Sequence, residues 1–327
     1  MKKIIVLIFL IGILLFGCIS NGEEKPHAEI PDKNQTTKPN ETIYQPPKPV
    51  YEDVLNGTIR FNEDIEADLE VYFIDVGMGD ATLLKKGDFE ILIDAGGEKD
   101  IINFLNEKNI TNLEIAITTK YTKDNSAQMK KILENFKVQQ YWDNGIKEEN
   151  IYYNEIYTIL ENKNIPIKNP EFGENVNLNG ISITILNPQK IRYPNVNPTL
   201  NSITLYITDR NFSLYFSDVE TGVQNTILAN YPNIKSTFMK APNHGTSTAS
   251  VGGDQTVQLF SLIDKVKPEY AVVFVGPTEE EIPNNAVLEA FRLRKAKMLR
   301  TDLNGTISVI TDGYEYNITT SIEQKKK

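Results

Sequence analysis

Between residues 70 and 94 the chain makes three short β-like runs: 70–75 and 81–84 flank the turn Gly77-Met78-Gly79-Asp80, and 90–94 ends in Ala95-Gly96-Gly97. Runs of this length bounded by turn residues are strands, and turns this tight force neighbouring strands into a meander. Helical patterns then interleave with further strands. A helix is expected over 99–107, a buried strand over 113–118, and a helix over 125–136, where Met129, Ile132, Leu133 and Phe136 fall at helical spacing. Another helix is expected over 150–161.

The second half repeats the theme. Strands are expected at 181–186, 202–207, 212–217 and 235–240, with a helix over 220–229. Helices over 255–265 and 286–295 flank a strand at 269–275. The chain closes with 305–310 and 314–318 around Thr311-Asp312-Gly313, a hairpin signal. Two such halves imply an α/β fold: a four-layer αββα sandwich of two mixed sheets flanked by helices, in one domain.

With 327 residues, 40% of them apolar, the chain can bury a large core. Its net charge of -10, with no basic run beyond the last three lysines, argues against nucleic acid as a partner. Met1-Lys2-Lys3 and the apolar run 4–16 have the form of a secretory signal. That run ends at Gly17-Cys18, the chain's sole cysteine, and is similar to the lipobox of prokaryotic lipoproteins, although Phe16 departs from the small residue usual there. The alternative is an uncleaved signal anchor. Residues 20–53 are polar and proline-rich, which suits an extended tether; His27 lies within it and is read as solvated. The expected division is a signal peptide over 1–17, a lipidated Cys18 and tether over 18–53, the folded domain over 54–320, and a basic tail over 321–327. The expected location is the extracytoplasmic face of the cell membrane, with the membrane as a partner through the lipid anchor.

Five segments, in this order, carry a family resemblance: Asp75-Val76-Gly77-Met78-Gly79-Asp80, Ile93-Asp94-Ala95-Gly96-Gly97, the stretch from Thr119 to Asn125, Phe216-Ser217-Asp218, and Pro242-Asn243-His244-Gly245-Thr246. Together with a closing stretch from Arg300-Thr301-Asp302 to Ile307, read as a hairpin, they resemble the metallo-β-lactamase superfamily, and specifically the extracytoplasmic hydrolase domain of competence proteins. The resemblance implies a metal-bridging aspartate at Asp218, a metal motif over 119–125 and a paired-histidine segment at Asn243-His244. Most of the implied imidazoles are missing. Only Asp124 remains of the metal motif, Lys120 offers no lone pair, Asn243 stands beside His244, and Ile282 precedes Pro283 where the family has its last histidine.

Asp124, Asp218 and His244 are therefore the candidate metal ligands, with Asp124 also the candidate catalytic base. Such an oxygen-rich set would take at most one divalent ion, magnesium or manganese rather than zinc. The competing reading makes Asp124 and Asp218 helix N-caps and His244 a hydrogen-bonded loop residue, while Asp75, Asp80 and Asp94 fix turns. Two functions follow. One is a catalytically degenerate, lipid-anchored domain that binds a protein or small-molecule ligand. The other is a single-metal phosphodiesterase or nuclease. A plain solute-binding lipoprotein would share the tether but not the ordered motifs.

Overall fold

The computed structural model describes residues 67–189, 197–219, 221–246, 255–278 and 282–322; the expected leader, Cys18, His27, the tether and most of the basic tail lie outside them. Among the described residues no helix is long and apolar enough to cross a membrane. The strands are β1 (Leu69–Phe73), β2 (Thr82–Lys86), β3 (Phe89–Ile93), β4 (Asn112–Ile117), β5 (Lys137–Trp142), β6 (Ile167–Lys168), β7 (Asn175–Leu178), β8 (Ile181–Asn187), β9 (Thr204–Asp209), β10 (Phe212–Phe216), β11 (Phe238–Lys240), β12 (Tyr270–Val273), β13 (Lys297–Arg300), β14 (Ile307–Thr311) and β15 (Tyr316–Thr320). The helices are α1 (Ile101–Glu107), α2 (Lys123–Ser126), α3 (Met129–Asn135), α4 (Ile151–Lys163), α5 (Thr221–Asn230), α6 (Gln255–Val266), α7 (Asn285–Leu293) and α8 (Thr301–Asn304).

Two mixed sheets form, one in the order β15-β14-β1-β2-β3-β4-β5-β6 and the other β13-β12-β11-β10-β9-β8-β7. Strand β1 shows how the sequence places them. Leu69, Val71 and Phe73 point into the core between the sheets, whereas Tyr72 and Ile74 point into the layer shared with α1, α3 and α4. This is the two-residue period of a strand buried on both faces. The Phe73 ring lies 6.2, 5.9 and 6.0 Å from the rings of Phe216, Phe238 and Phe274 of the opposite sheet. On the far side, Tyr215, Met239, Ala271 and Val273 meet Ile227 of α5, Leu262 and Ile263 of α6 and Phe291 of α7. Three cores between four layers give the expected sandwich.

Several local expectations are corrected. The helix expected over 125–136 is broken into α2 and α3. Its break has a cause: the carbonyls of Asp124 and Asn125 accept from the backbone N–H groups of Asp80 and Ala95, and Gln128 N–H donates to the Ala95 carbonyl. Those bonds divert the acceptors that a continuous helix would need. The strand expected over 235–240 is confined to β11, and β5, β6, β7 and β13 are additional. Arg300 ends β13 in the second sheet instead of opening the closing hairpin. The Thr311-Asp312-Gly313 turn does join β14 to β15, with Asp312 Oδ1 accepting from the N–H groups of Tyr314 and Glu315.

Strands β3 to β6 are parallel, as are β10 to β13, and the loops after their carboxyl ends meet across the two sheets. Open parallel sheets place their sites at this edge. Phe73→Ala, which empties the centre of the inter-sheet core, is expected to cost about 3–5 kcal/mol in denaturant unfolding.

Candidate functional site

Three segments of the first sheet's half and two of the second converge on one buried ionic cluster. Asp80 comes from the β1–β2 loop, Asp94 follows β3, Lys120 follows β4 and Asp124 lies in α2. Asp218 follows β10, while Lys240 ends β11 and His244 sits in the 3-10 turn after it. The backbone holds the first half rigidly. Asp80 N–H donates to the Asp124 carbonyl at 2.7 Å, and Gly96 N–H to the Asp80 carbonyl at 2.9 Å. Only glycine fits at Gly96, because a Cβ there would stand 1.8 Å from the Asp124 carbonyl oxygen.

Lys240 is the centre of the cluster. Its ammonium donates to Asp218 Oδ1 and lies 3.0 Å from Asp80 Oδ2. Asp218 Oδ1 also accepts from Asn243 N–H at 2.8 Å, and its Oδ2 faces the Lys120 ammonium at 3.5 Å. Lys120 in turn donates to Asn243 Oδ1 at 3.2 Å. Lys120, Lys240, Asp80 and Asp218 are all nine-tenths buried or more. Burial alone would push the Asp218 carboxyl up, but the Lys120 and Lys240 ammoniums outweigh it and hold Asp218 well below the usual carboxylate range. Burial works against the Lys240 charge in the same way, and Asp218 and Asp80 override it to raise the ammonium above its ordinary value.

His244 and Asp124 form the second arm. His244 Nδ1 lies 2.9 Å from the Phe274 carbonyl, which can only accept, so Nδ1 carries a proton. Nε2 lies 2.8 Å from Asp124 Oδ2, a carboxylate oxygen, and donates to it; the ring is an imidazolium. Burial opposes that charge, but Asp80 and the hydrogen bond to Asp124 raise the imidazole above its ordinary range. Asp124, pushed up by burial, is held well below its usual range by the His244 bond and the Lys120 charge. Asn243, His244 and Gly245 have consecutive φ values of 45°, 57° and 74°. Two non-glycine residues persist in this left-handed conformation because Asp218 holds the Asn243 N–H while Phe274 and Asp124 hold the imidazole.

Asn125 stands where the family resemblance implies a histidine. Its amide donates to Asp94 Oδ2 at 2.8 Å, Asp80 Oδ2 at 3.1 Å and Thr119 Oγ1 at 3.2 Å. Asp94 further accepts from Thr119 N–H and Oγ1–H, both at 2.8 Å. Beside this loop, Tyr121 donates to the fully buried Asp143 at 2.5 Å; Tyr157 at 2.7 Å, Asn169 at 2.5 Å and Gly145 N–H at 2.9 Å satisfy the same carboxylate.

The three candidate residues thus meet in one cluster, but through intervening protons. Asp124 contacts His244 directly, whereas Asp218 is engaged by Lys240, Lys120 and Asn243. Neither aspartate acts as an N-cap: Thr122 occupies that position for α2, and the Asp218 side chain is turned into the cluster. Asp75 does fix its turn, accepting from Gly77 N–H at 3.1 Å. Asp80, Asp94, Asn125 and Lys240 are the residues that sequence reasoning did not place here. A metal needs converging lone pairs, and this centre is lined by the N–H groups of Lys120, Lys240, Asn125 and His244. Among the described residues no three His, Cys, Asp or Glu side chains are grouped to hold an ion. As arranged, the donor set does not fit a metal.

The charges nearly balance. Four carboxylates (Asp80, Asp94, Asp124, Asp218) face three cations (Lys120, Lys240, His244), and the surplus falls on Asp80 and Asp94. Burial pushes Asp80 up to about 6 and Asp94 up to about 7, against the pull of Lys240 on the first and of the Thr119 and Asn125 hydrogen bonds on the second. Both carboxyls, with unfolded values near 4, hold protons in the native state that the unfolded chain has released. The stability they contribute is present below about pH 4 and is lost as pH rises through 6 and 7. His244, also raised, acts with the same sign, its contribution being lost as pH rises past its native value. Asp124 and Asp218, depressed, lose theirs only as pH falls below about 4. Unfolding free energy is therefore expected to fall by on the order of 3 kcal/mol between pH 5 and pH 8, as read by urea titrations at the two values.

Comparison with known proteins agrees with this architecture. No family model matches the chain. It is 23% identical over 268 residues to ComE operon protein 3 of Bacillus subtilis (strain 168), covering 73% of the chain; it spans about a third (32%) of that relative's length. The solved structure of YhfI from Bacillus subtilis, a metallo-β-lactamase fold protein, superposes with a TM-score of 0.50 at 12% identity, over 74% of this chain and 99% of that one. Igni18, a metallo hydrolase from Ignicoccus hospitalis, is similar at a TM-score of 0.46 and 14% identity, over 73% and 98% of the two chains. Two stacked mixed sheets, helices on both outer faces and a loop cluster at the shared carboxyl edge make this a protein of the metallo-β-lactamase fold.

Proposed function

We propose that this is an exported protein, anchored by a lipid on Cys18 to the extracytoplasmic face of the cell membrane, whose metallo-β-lactamase-fold domain no longer hydrolyses. It binds a protein or small-molecule ligand at the mouth of the old cleft. The observation that carries this reading is the engagement of Asp218 by two lysine ammoniums and a backbone N–H. Hydrolysis in this fold would depend on a metal to lower the pKa of bound water and polarise the scissile group. A carboxylate saturated by protons does not supply that, and Lys120, Lys240 and His244 already neutralise all but one of the four carboxylates of the cluster. The net charge of -10 also favours a ligand other than nucleic acid.

The second reading is a residual single-metal phosphodiesterase, in which Asp124, Asp218 and His244 would hold magnesium or manganese. Its support is the similarity to a competence protein and the retained Asp124–His244 contact.

Incubating the purified chain with manganese, magnesium and zinc in turn, together with a chromogenic phosphodiester, separates the two. No hydrolysis with any ion is the expected result. Turnover that is lost in Asp218→Ala would overturn the non-hydrolytic reading and establish the second. For the anchor, Cys18→Ser is expected to move the exported protein from the detergent phase to the aqueous phase on phase separation; a wild-type chain already in the aqueous phase counts against lipidation.

A further inference from the structure

We propose that Lys240 is the resident cation of this cleft, neutralising Asp80 and Asp218 as a divalent ion would, and that removing it turns the surrounding side chains into a divalent-cation site. The inference rests on the non-hydrolytic reading and extends it to what holds the cleft together.

Three observations carry it. First, Lys240 bridges carboxylates from opposite halves of the molecule. Asp80 belongs to the loop after β1 in one sheet, Asp218 to the loop after β10 in the other, and the ammonium contacts both. A bridging metal has the same topology. Second, an ammonium has three protons on one side of a fixed stem, so it cannot serve every acceptor around it. One acceptor is left over: Asp80 Oδ1 has no hydrogen-bond partner although Asp80 is only 2% exposed, and its neighbour His244 Nδ1 is 3.6 Å away. A buried carboxylate oxygen without a donor is costly, and it faces the cluster. Third, truncating Lys240 would leave Asp80 and Asp218 as uncompensated buried anions beside the His244–Asp124 pair. Lys120 remains 3.5 Å from Asp218 Oδ2 and cannot reach both carboxylates in their present positions. An oxygen-rich set built on Asp80 and Asp218 favours manganese or magnesium.

The test is thermal unfolding of the purified full-length chain and its variants, with chelator and with excess manganese or magnesium chloride. Wild type is expected to unfold at the same temperature in every condition. Lys240→Ala is expected to unfold roughly 10 °C lower in chelator, to regain about half of that loss in manganese, and to bind about one manganese ion per chain. Lys240→Ala/Asp80→Asn should lose the response. A folded Lys240→Ala chain that manganese does not stabilise overturns the proposal, as does a wild-type chain stabilised equally. Should Lys240→Ala fail to fold in chelator, Lys240→Met, which keeps the stem's volume, is refolded with and without manganese; recovery with the ion supports the proposal and no recovery overturns it. The hydrolysis assay on wild type is independent of these readings, so failure of the non-hydrolytic reading is distinguishable from failure of this one.

Discussion

The ion pair between Lys240 and its two aspartates is the constraint on which the rest of the site depends. Removing charges from water is expensive, and a buried cation is tolerated only where anions and hydrogen bonds surround it on all sides. Asp218 and Asp80 supply the anions, and Lys120, Asn125 and Asn243 hold those carboxylates in place. These residues come from four segments of the chain, so the demand for neutrality fixes the relative positions of loops that share little else. The unusual backbone of Asn243 and His244 follows from it: the chain after β11 turns left-handed so that an N–H can reach Asp218 and an imidazole can reach Asp124.

The loop carrying Lys120 and Asp124 is fastened at two ends. On the inner side its backbone is stitched to Asp80 and Ala95. On the outer side Tyr121 is tied to Asp143, a buried carboxylate with four donors and, among the described residues, no cation, and Asn150 Nδ2 donates to the Tyr121 carbonyl at 3.1 Å. A carboxylate can be held by neutral donors when enough of them converge. The molecule therefore uses two solutions to the same electrostatic problem, ammonium ions at Asp218 and hydroxyl and amide groups at Asp143, and the neighbouring residues Lys120 and Tyr121 serve one each.

Much of the fold was legible because the strands of the inter-sheet core announce themselves. Apolar residues on alternate positions, cut by glycine-aspartate turns, specify β1 to β3 and the β14–β15 hairpin without ambiguity. The strands β5 and β13 were not legible, since Lys137, Gln139 and Gln140 in the first and Lys297 and Arg300 in the second dilute the apolar signal at positions near sheet edges or helix covers. The break between α2 and α3 was hidden for another reason: its cause lies in hydrogen bonds to residues about thirty or more positions earlier, which a local helical period does not register. The same holds for the site. Asp124, Asp218 and His244 were found through ordered motifs, but Lys240 looked like the end of a strand and Asp80 and Asp94 like turn residues. Only tertiary contact shows that those turns and that strand end deliver their charges to one point.

A cation covalently carried by the chain differs from a bound one in how it answers to its surroundings. The stability that a dissociable ion confers depends on its free concentration and disappears when that concentration falls well below its dissociation constant. Lys240 has no dissociation constant; its local concentration is set by the strand that carries it and is unaffected by dilution or scavenging. A cleft closed in this way keeps one shape whatever the free concentration of divalent ions around it.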